Sequence, residues 1–249
     1  MIKTIEQLAD EIAAWLREYA ASAGLQGYVV GLSGGIDSAV TAALCQRAVG
    51  EEVLAVLMPC YSPQKDIEMA RLMASTFGLE TVMVDLATTY DALVNALPPD
   101  TAEIAKANIK PRLRMATLYA IAQTHGYLVA GTGNKSELMT GYFTKYGDGG
   151  VDLEPLGALL KSQVRHLALA LGVPQAIIDR PPSAGLWEGQ TDEGELGMTY
   201  EELDSTLAAI EEGHTDAVDP ELLRRVQHMI AATAHKRSTP PVFQPGPKT

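Results

Sequence analysis

The chain has 249 residues, 47% of them apolar and 20% charged, a balance that excludes an intrinsically disordered or fibrous protein. Its 19 Lys and Arg face 31 Asp and Glu, and the net charge of −12 argues against an extended nucleic-acid surface or a polybasic membrane anchor. No apolar run reaches the roughly 18 residues that a membrane span requires.

At the N-terminus, Ile5, Leu8, Ile12, Trp15, Leu16 and Tyr19 recur at helical spacing among Glu6, Asp10 and Glu11, and Thr4 with Gln7 fits a capping box. This predicts an amphipathic helix rather than a secretory leader, with Trp15 and Tyr19 in the core or at a subunit contact. A cytoplasmic protein is the expectation. Short apolar runs follow at 28–32, 53–58, 81–84 and 127–130. None alternates polar with apolar residues, so both faces of each strand should be covered, as in a parallel sheet. Helices are expected between them. One begins near Ala39, and another is opened by Ser62 as N-cap with Pro63 at the first position and closed by Gly78. Cys45 and Cys60 lie in apolar segments without C-x-x-C spacing and read as buried free thiols.

The β-α-β-α order predicts an α/β fold, doubly wound, with a mostly parallel sheet and helices on both faces. Its ligand should sit beyond the carboxyl ends of the strands. After residue 154 the pattern becomes a C-terminal helical region, with helices at about 156–171, 174–180, 200–212 and 219–235. The stretch 181–199 contains little that would form a regular element, and a loop of that length is usually functional. No repeat or linker divides the chain, which reads as a single domain over 1–249. His125, His166, His214 and His228 share no metal-ligand spacing.

The most informative segment is Gly31-Leu32-Ser33-Gly34-Gly35-Ile36-Asp37-Ser38, between a predicted strand and helix. Glycines let the backbone turn its N–H groups inward and make an anion nest at a helix N-terminus. Ser33 and Ser38 add hydroxyl donors, and Asp37 suits a magnesium ion held against phosphates. The segment has neither the lysine of a Walker loop nor the G-x-G-x-x-G of a dinucleotide turn. It resembles the S-G-G-x-D-S loop of the PP-loop ATP pyrophosphatases, which cleave ATP between the α- and β-phosphates and adenylate a substrate.

Further segments are similar to the ammonia-dependent NAD synthetase family: 108–115 (Asn-Ile-Lys-Pro-Arg-Leu-Arg-Met), 131–137 (Gly-Thr-Gly-Asn-Lys-Ser-Glu), 141–150 (Gly-Tyr-Phe-Thr-Lys-Tyr-Gly-Asp-Gly-Gly), 181–187 (Pro-Pro-Ser-Ala-Gly-Leu-Trp) and His235-Lys236-Arg237. The resemblance covers nearly the whole chain. Pro111 departs from it, where a small residue is expected, and affects local helix geometry only.

What the resemblance implies is an adenine nucleotide alpha hydrolase-like fold without a glutaminase domain, and synthesis of NAD from deamido-NAD, ATP and ammonia through an acyl-adenylate. ATP would be bound by residues 31–38, Thr132, Lys161 and Ser183, and Mg²⁺ by Asp37 and Glu137. Arg112, Lys145, Asp152, His235 and Lys236 match the deamido-NAD contacts. Asp37 and Lys161 are the expected catalytic groups, Lys161 supplying the positive charge that the phosphate loop lacks. The family also implies a homodimer with deamido-NAD near the subunit interface. The segments 141–150 and 183–199, both glycine-rich, are expected to close over the acyl-adenylate.

Two other functions compete. A tRNA-modifying PP-loop ligase or an amidotransferase ATPase subunit would share the phosphate loop, but the first predicts a basic surface that this chain lacks. A non-catalytic nucleotide sensor would tolerate loss of Asp37. The charge distribution favours an enzyme of anionic substrates. Residues 106–180 carry nine Lys or Arg against five Asp or Glu, whereas 183–213 carry nine acids and no base.

Overall fold

The computed structural model describes residues 4–183, 185–187 and 189–244. Helix α1 (Ile5–Ser22) begins at the predicted capping box, in which the Thr4 hydroxyl accepts from the Gln7 N–H and the Gln7 side chain accepts from the Thr4 N–H. The strands β1 (Gly27–Gly31), β2 (Val53–Leu57), β3 (Glu80–Met83) and β4 (Tyr127–Ala130) form one parallel sheet in the order β3-β2-β1-β4. Between them run α2 (Ile36–Val49) and α3 (Gln64–Phe77), then α4 (Ala87–Asn95), α5 (Glu103–Ala107) and α6 (Ile109–His125). After β4 come α7 (Lys135–Thr140), α8 (Lys161–Leu171) and α9 (Gln175–Ile178). The C-terminal region adds α10 (Asp192–Leu196), α11 (Tyr200–Glu212) and α12 (Pro220–Ala232).

The two-residue period of a strand divides the apolar side chains between two layers. Tyr28, Val30, Ala55, Leu57 and Leu128 face a core shared with α1, α2, α3 and α8, while Val29, Leu54, Val56 and Val129 face Leu118 and Ala122 of α6. Both faces are therefore covered, as the continuous apolar runs require. A third, smaller cluster joins Leu196, Met198, Leu203, Leu207 and Val226, so the C-terminal helices have an apolar core of their own. The chain steps outward from β1 to β3 and then places β4 on the other side of β1. Direction reverses between β1 and β4, where the loops leaving their carboxyl ends diverge into a crevice.

Several local expectations change. Helix α2 starts at Ile36 rather than near Ala39, because extended Gly35 caps it and brings Asp37 and Ser38 into the first turn. Ser62 does not cap α3. Its hydroxyl accepts from the Cys60 N–H, and the helix starts after Pro63. The helix expected from residue 156 begins at Lys161, whose N–H donates to the Ser136 hydroxyl while the Ser162 N–H donates to Asp204. Those caps come from distant parts of the chain, and the one local signal is Gln163, whose side chain accepts from the Leu160 N–H at 2.9 Å. Pro111 falls in the first turn of α6, where no intrahelical acceptor awaits an N–H, and it is accommodated there. Trp15 and Tyr19 are 42% and 37% exposed and belong to the surface of the chain rather than its core. Cys45 and Cys60 are free and buried, as expected, and burial raises both thiol pKa values.

Candidate active site

The loop 31–38 leaves β1 at the crevice and is held by its own serines. The Ser33 and Ser38 hydroxyls lie 3.0 Å apart, Ser33 Oγ accepts from the Gly35 N–H at 3.2 Å, and Ser38 Oγ donates to the Gly35 carbonyl at 3.0 Å. Leu32 and Ile36 are buried and anchor the loop on either side of the turn. Gly34 has φ +83°, and a Cβ there would lie 2.3 Å from the Asp66 carbonyl, so only glycine fits. The N–H groups of the first turn of α2 have no acceptor within the helix and point toward the crevice mouth. Arg180 closes the far side, donating to the Gly34 carbonyl at 3.1 Å and pairing with Asp66 at 2.5 Å.

Asp37, Glu137 and Lys161, far apart in the sequence, meet in front of this loop. The Lys161 ammonium lies 2.5 Å from Asp37 Oδ2 and 3.3 Å from Glu137 Oε1 and is 2% exposed as a residue. Asn134 fixes the carboxylates from below. Its side-chain amide donates to Asp37 Oδ1 at 2.9 Å, and with Glu137 it forms the capping box of α7. The face of the Tyr200 ring covers Lys161 at 5.0 Å. Burial alone would lower the Lys161 pKa, but Asp37 and Glu137 outweigh it and hold the ammonium charged. Burial, reinforced by Asp37, pushes the Glu137 carboxyl upward despite Lys161. One cation thus spans two carboxylates at the mouth of an anion nest.

Thr132 sits in the turn after β4. Thr41 of α2 ties this turn to the phosphate loop by donating to the Gly131 carbonyl at 3.3 Å. Glu154 lies under the same turn. One of its oxygens accepts from the Gly133 N–H at 3.0 Å, and a Cβ on Gly131 would be 2.2 Å from the carboxylate. Burial pushes Glu154 up to about 8. A carboxyl raised above the 4.5 of a free glutamate takes up a proton on folding, so its stabilising contribution is complete below about pH 4.5 and is lost as pH rises through about 8. Glu154→Gln carries no such proton. Between about pH 4.5 and 8 the melting temperature of the wild type should therefore fall relative to that of E154Q. Parallel pH profiles in thermal melts would contradict this.

The residues expected to contact the dinucleotide form a second group. Lys145 donates to the His235 carbonyl at 2.6 Å, and Arg112 reaches the Lys145 carbonyl at 3.4 Å. Lys236 donates to the carbonyls of Gly141 and Phe143 at 2.7 and 2.8 Å, which pins the loop that follows α7. Asp152 is not brought to this group. It accepts from the Tyr119 hydroxyl at 3.1 Å and from the Val129 N–H at 2.8 Å, at the edge of β4. Ser183 is exposed, three residues beyond Arg180, and its hydroxyl accepts from the Gly185 N–H. Ala184, within the motif at 181–187, and Glu188 lie outside the described residues.

Sequence reasoning missed Asn134, Arg180, Glu154, Asp192 and Tyr200. Asn134 was legible as the start of an N-x-x-E capping box, but the others act across the fold and leave no local signal. The stretch 181–199 is also more ordered than expected. It contains the five-residue helix α10, capped by Thr191, and a buried Gln190 that donates to Glu195 at 2.7 Å.

The family model described as NAD synthase matches residues 8–240. An NH(3)-dependent NAD(+) synthetase of Finegoldia magna is 48% identical over 238 residues, 96% of each chain. Among solved structures, NMN synthetase from Francisella tularensis superposes with a TM-score of 0.90 at 36% identity, covering 98% of this chain and 99% of that one. The NH3-dependent NAD synthetase of Campylobacter jejuni superposes with a TM-score of 0.85 at 30% identity, covering 97% and 100%. With the phosphate loop, the topological switch point and the convergent Asp37, Glu137 and Lys161 already in place, these matches establish that the chain belongs to the NAD synthase family.

Proposed function

We propose that this chain amidates deamido-NAD with ammonia at the expense of ATP, releasing NAD, AMP and diphosphate. The observation that carries the reading is the single ammonium between two carboxylates at the mouth of the phosphate loop. In the first half-reaction an oxygen of the nicotinate carboxylate attacks the α-phosphorus of ATP, and the bond to the bridging oxygen of the β-phosphate breaks. The N–H groups of residues 31–38 and the Lys161 ammonium bind the departing diphosphate, whose negative charge grows as it leaves. In the second half-reaction neutral ammonia attacks the acyl carbon, AMP departs and one proton is lost. No protein nucleophile is needed. Orientation of two large anions supplies much of the acceleration.

Asp37 and Glu137 suit a magnesium ion. Both carboxylates already reach one common cation, and hard carboxylate oxygens of this kind would hold a magnesium ion. Among the described residues there is no cluster of three His, Cys, Asp or Glu that would make an all-protein cage. Bound there, the ion would neutralise charge on the phosphates. Thr132 and Ser183 complete the ATP contacts in this reading. Arg112, Lys145, His235 and Lys236 meet the dinucleotide phosphates and carboxylate, with Asp152 at a more distant subsite. Segments 141–150 and 183–199 keep water from the acyl-adenylate.

We further read the chain as one catalytic domain that uses free ammonia and works as a cytoplasmic homodimer, with neither nucleic acid nor membrane as a partner. No helix among the described residues is long and apolar enough to cross a membrane. The test is an assay of ATP, Mg²⁺, ammonium and deamido-NAD, scored for NAD and AMP, with nicotinate mononucleotide as the competing substrate. NAD and AMP in equal amounts are expected. Formation of ADP, or turnover only with the mononucleotide, would overturn the assignment.

A further inference from the structure

Behind Glu137 and Lys161 runs a chain of hydroxyls and carboxylates supplied by α10, by the first residue of α11 and by Tyr142 in the loop after α7. The Tyr200 hydroxyl is 3.3 Å from Glu137 Oε1 and 3.0 Å from Asp192 Oδ2. The Tyr142 hydroxyl is 3.2 Å from Asp192 Oδ1 and also hydrogen-bonds Glu195. Glu195 accepts from Gln190, whose amide oxygen accepts from the Leu186 N–H at 2.7 Å. Asp192 and Tyr200 are 4% and 7% exposed, so the inner links are shielded from water. A phenylalanine and an aliphatic residue would fill the same volume. A packing role alone would not require the desolvation cost of burying the Asp192 carboxylate.

Each tyrosine has one proton and faces two carboxylates. If Tyr200 donates to Glu137, Asp192 is left to Tyr142, and Glu195 to Gln190. A carboxylate has several acceptor sites, so Glu137 can keep the Tyr200 hydroxyl while it binds a cation, and that hydroxyl then fixes the orientation of the ligand. The orientation of Glu137 is therefore tied to the whole chain. Its far end is Gln190 and the Leu186 N–H.

We propose that Tyr200 is a positioning residue of the amide-forming site, holding Glu137 with its hydroxyl and Lys161 with its ring, and that Asp192 and Tyr142 extend this hold to Glu195, Gln190 and Leu186. The proposal rests on the reading of Asp37 and Glu137 as ion-binding groups. It gives the C-terminal helices a part in organising the ion and phosphate groups, beyond closing a third apolar cluster.

The probe is Mn²⁺ binding to the full chain without nucleotides, followed by loss of the free-ion electron paramagnetic resonance signal. Tyr200→Phe keeps the ring and removes the hydroxyl, and should weaken Mn²⁺ binding about tenfold, the usual cost of losing a partner that orients a metal ligand. Tyr142→Phe, two links away, should weaken it by about threefold, and the double variant should bind no more weakly than Y200F, because the chain is already cut. A tyrosine with only a packing role would lower the melting temperature and leave Mn²⁺ binding unchanged. Wild-type binding in a folded Y200F, or additive losses in the double variant, would overturn the proposal. If Y200F does not fold, unchanged binding in Y142F overturns the link to Glu195, Gln190 and Leu186. Failure of the wild type to bind Mn²⁺ would instead sink the ion-binding reading on which the proposal stands.

Discussion

Replacement of Asp37 by alanine should lower kcat by about a thousandfold while leaving a folded protein. Asp37 has two partners at once, the Lys161 ammonium at 2.5 Å and the Asn134 amide at 2.9 Å, and it belongs to the first turn of the helix that carries the phosphate loop. Without it, Lys161 keeps Glu137 as a counter-charge, so the buried cation is not orphaned. The acid's contribution to the α2 dipole is small, about 0.5 kcal/mol. The loss should therefore fall on the departure of diphosphate, where one of two ion-holding carboxylates is missing. Asp37→Asn should be nearly as inactive, because its single acceptor oxygen cannot serve both the Lys161 ammonium and the Asn134 amide. Steady-state assays at saturating Mg²⁺, with circular dichroism and thermal melts as controls, check this. Activity of D37A within tenfold of wild type would contradict the assigned role and favour a nucleotide-binding protein without catalysis.

The parts of this site differ in how far they could be read from sequence, and the difference is one of range. The phosphate loop is a contiguous string whose glycines and hydroxyls each have a local job, and Gly34 shows it directly: its positive φ and the nearby Asp66 carbonyl admit no Cβ. The parallel sheet was legible because a strand buried on both faces has no polar alternation, as Val29 and Val30 illustrate by pointing into opposite layers. Asp37 was legible within the phosphate loop, whereas Glu137 and Lys161 came from a family resemblance, and Lys161 taken singly would have read as a surface charge. What was not legible is what the fold assembles across long sequence separations. The Ser136 and Asp204 caps that start α8 lie far from it in the chain, and within residues 156–171 only Gln163, which caps the Leu160 N–H, marks where it begins. Tyr200 reads locally as the first residue of a helix, and only packing turns its ring onto Lys161. Asp192 was one acid in an acid-rich stretch until Tyr142 and Tyr200 met it.

Replacement of Lys161 by methionine should inactivate the enzyme and, separately, make its stability depend on magnesium. Lys161 is nearly the volume of methionine and almost wholly buried, so packing is preserved and charge is what changes. Its ammonium is the counter-charge of both Asp37 and Glu137. Removing one partner of a buried ionic group leaves the others uncompensated and costs about 3–5 kcal/mol. The two carboxylates would then face each other across the space that the ammonium filled. A divalent cation in that space restores the balance, and by linkage anything that binds only the folded state stabilises it. Millimolar Mg²⁺ without ATP should therefore raise the melting temperature of K161M by several degrees. In the wild type the same ion must displace an ammonium already bonded to both carboxylates, so its gain should be smaller. Turnover should not recover with added Mg²⁺, because the ion replaces the counter-charge and not the mobile donor that accompanies the departing diphosphate. Equal magnesium-induced shifts in the two proteins would show that Lys161 and the metal do not compete for Asp37 and Glu137. Recovery of turnover would show that the lysine acts through the carboxylates alone.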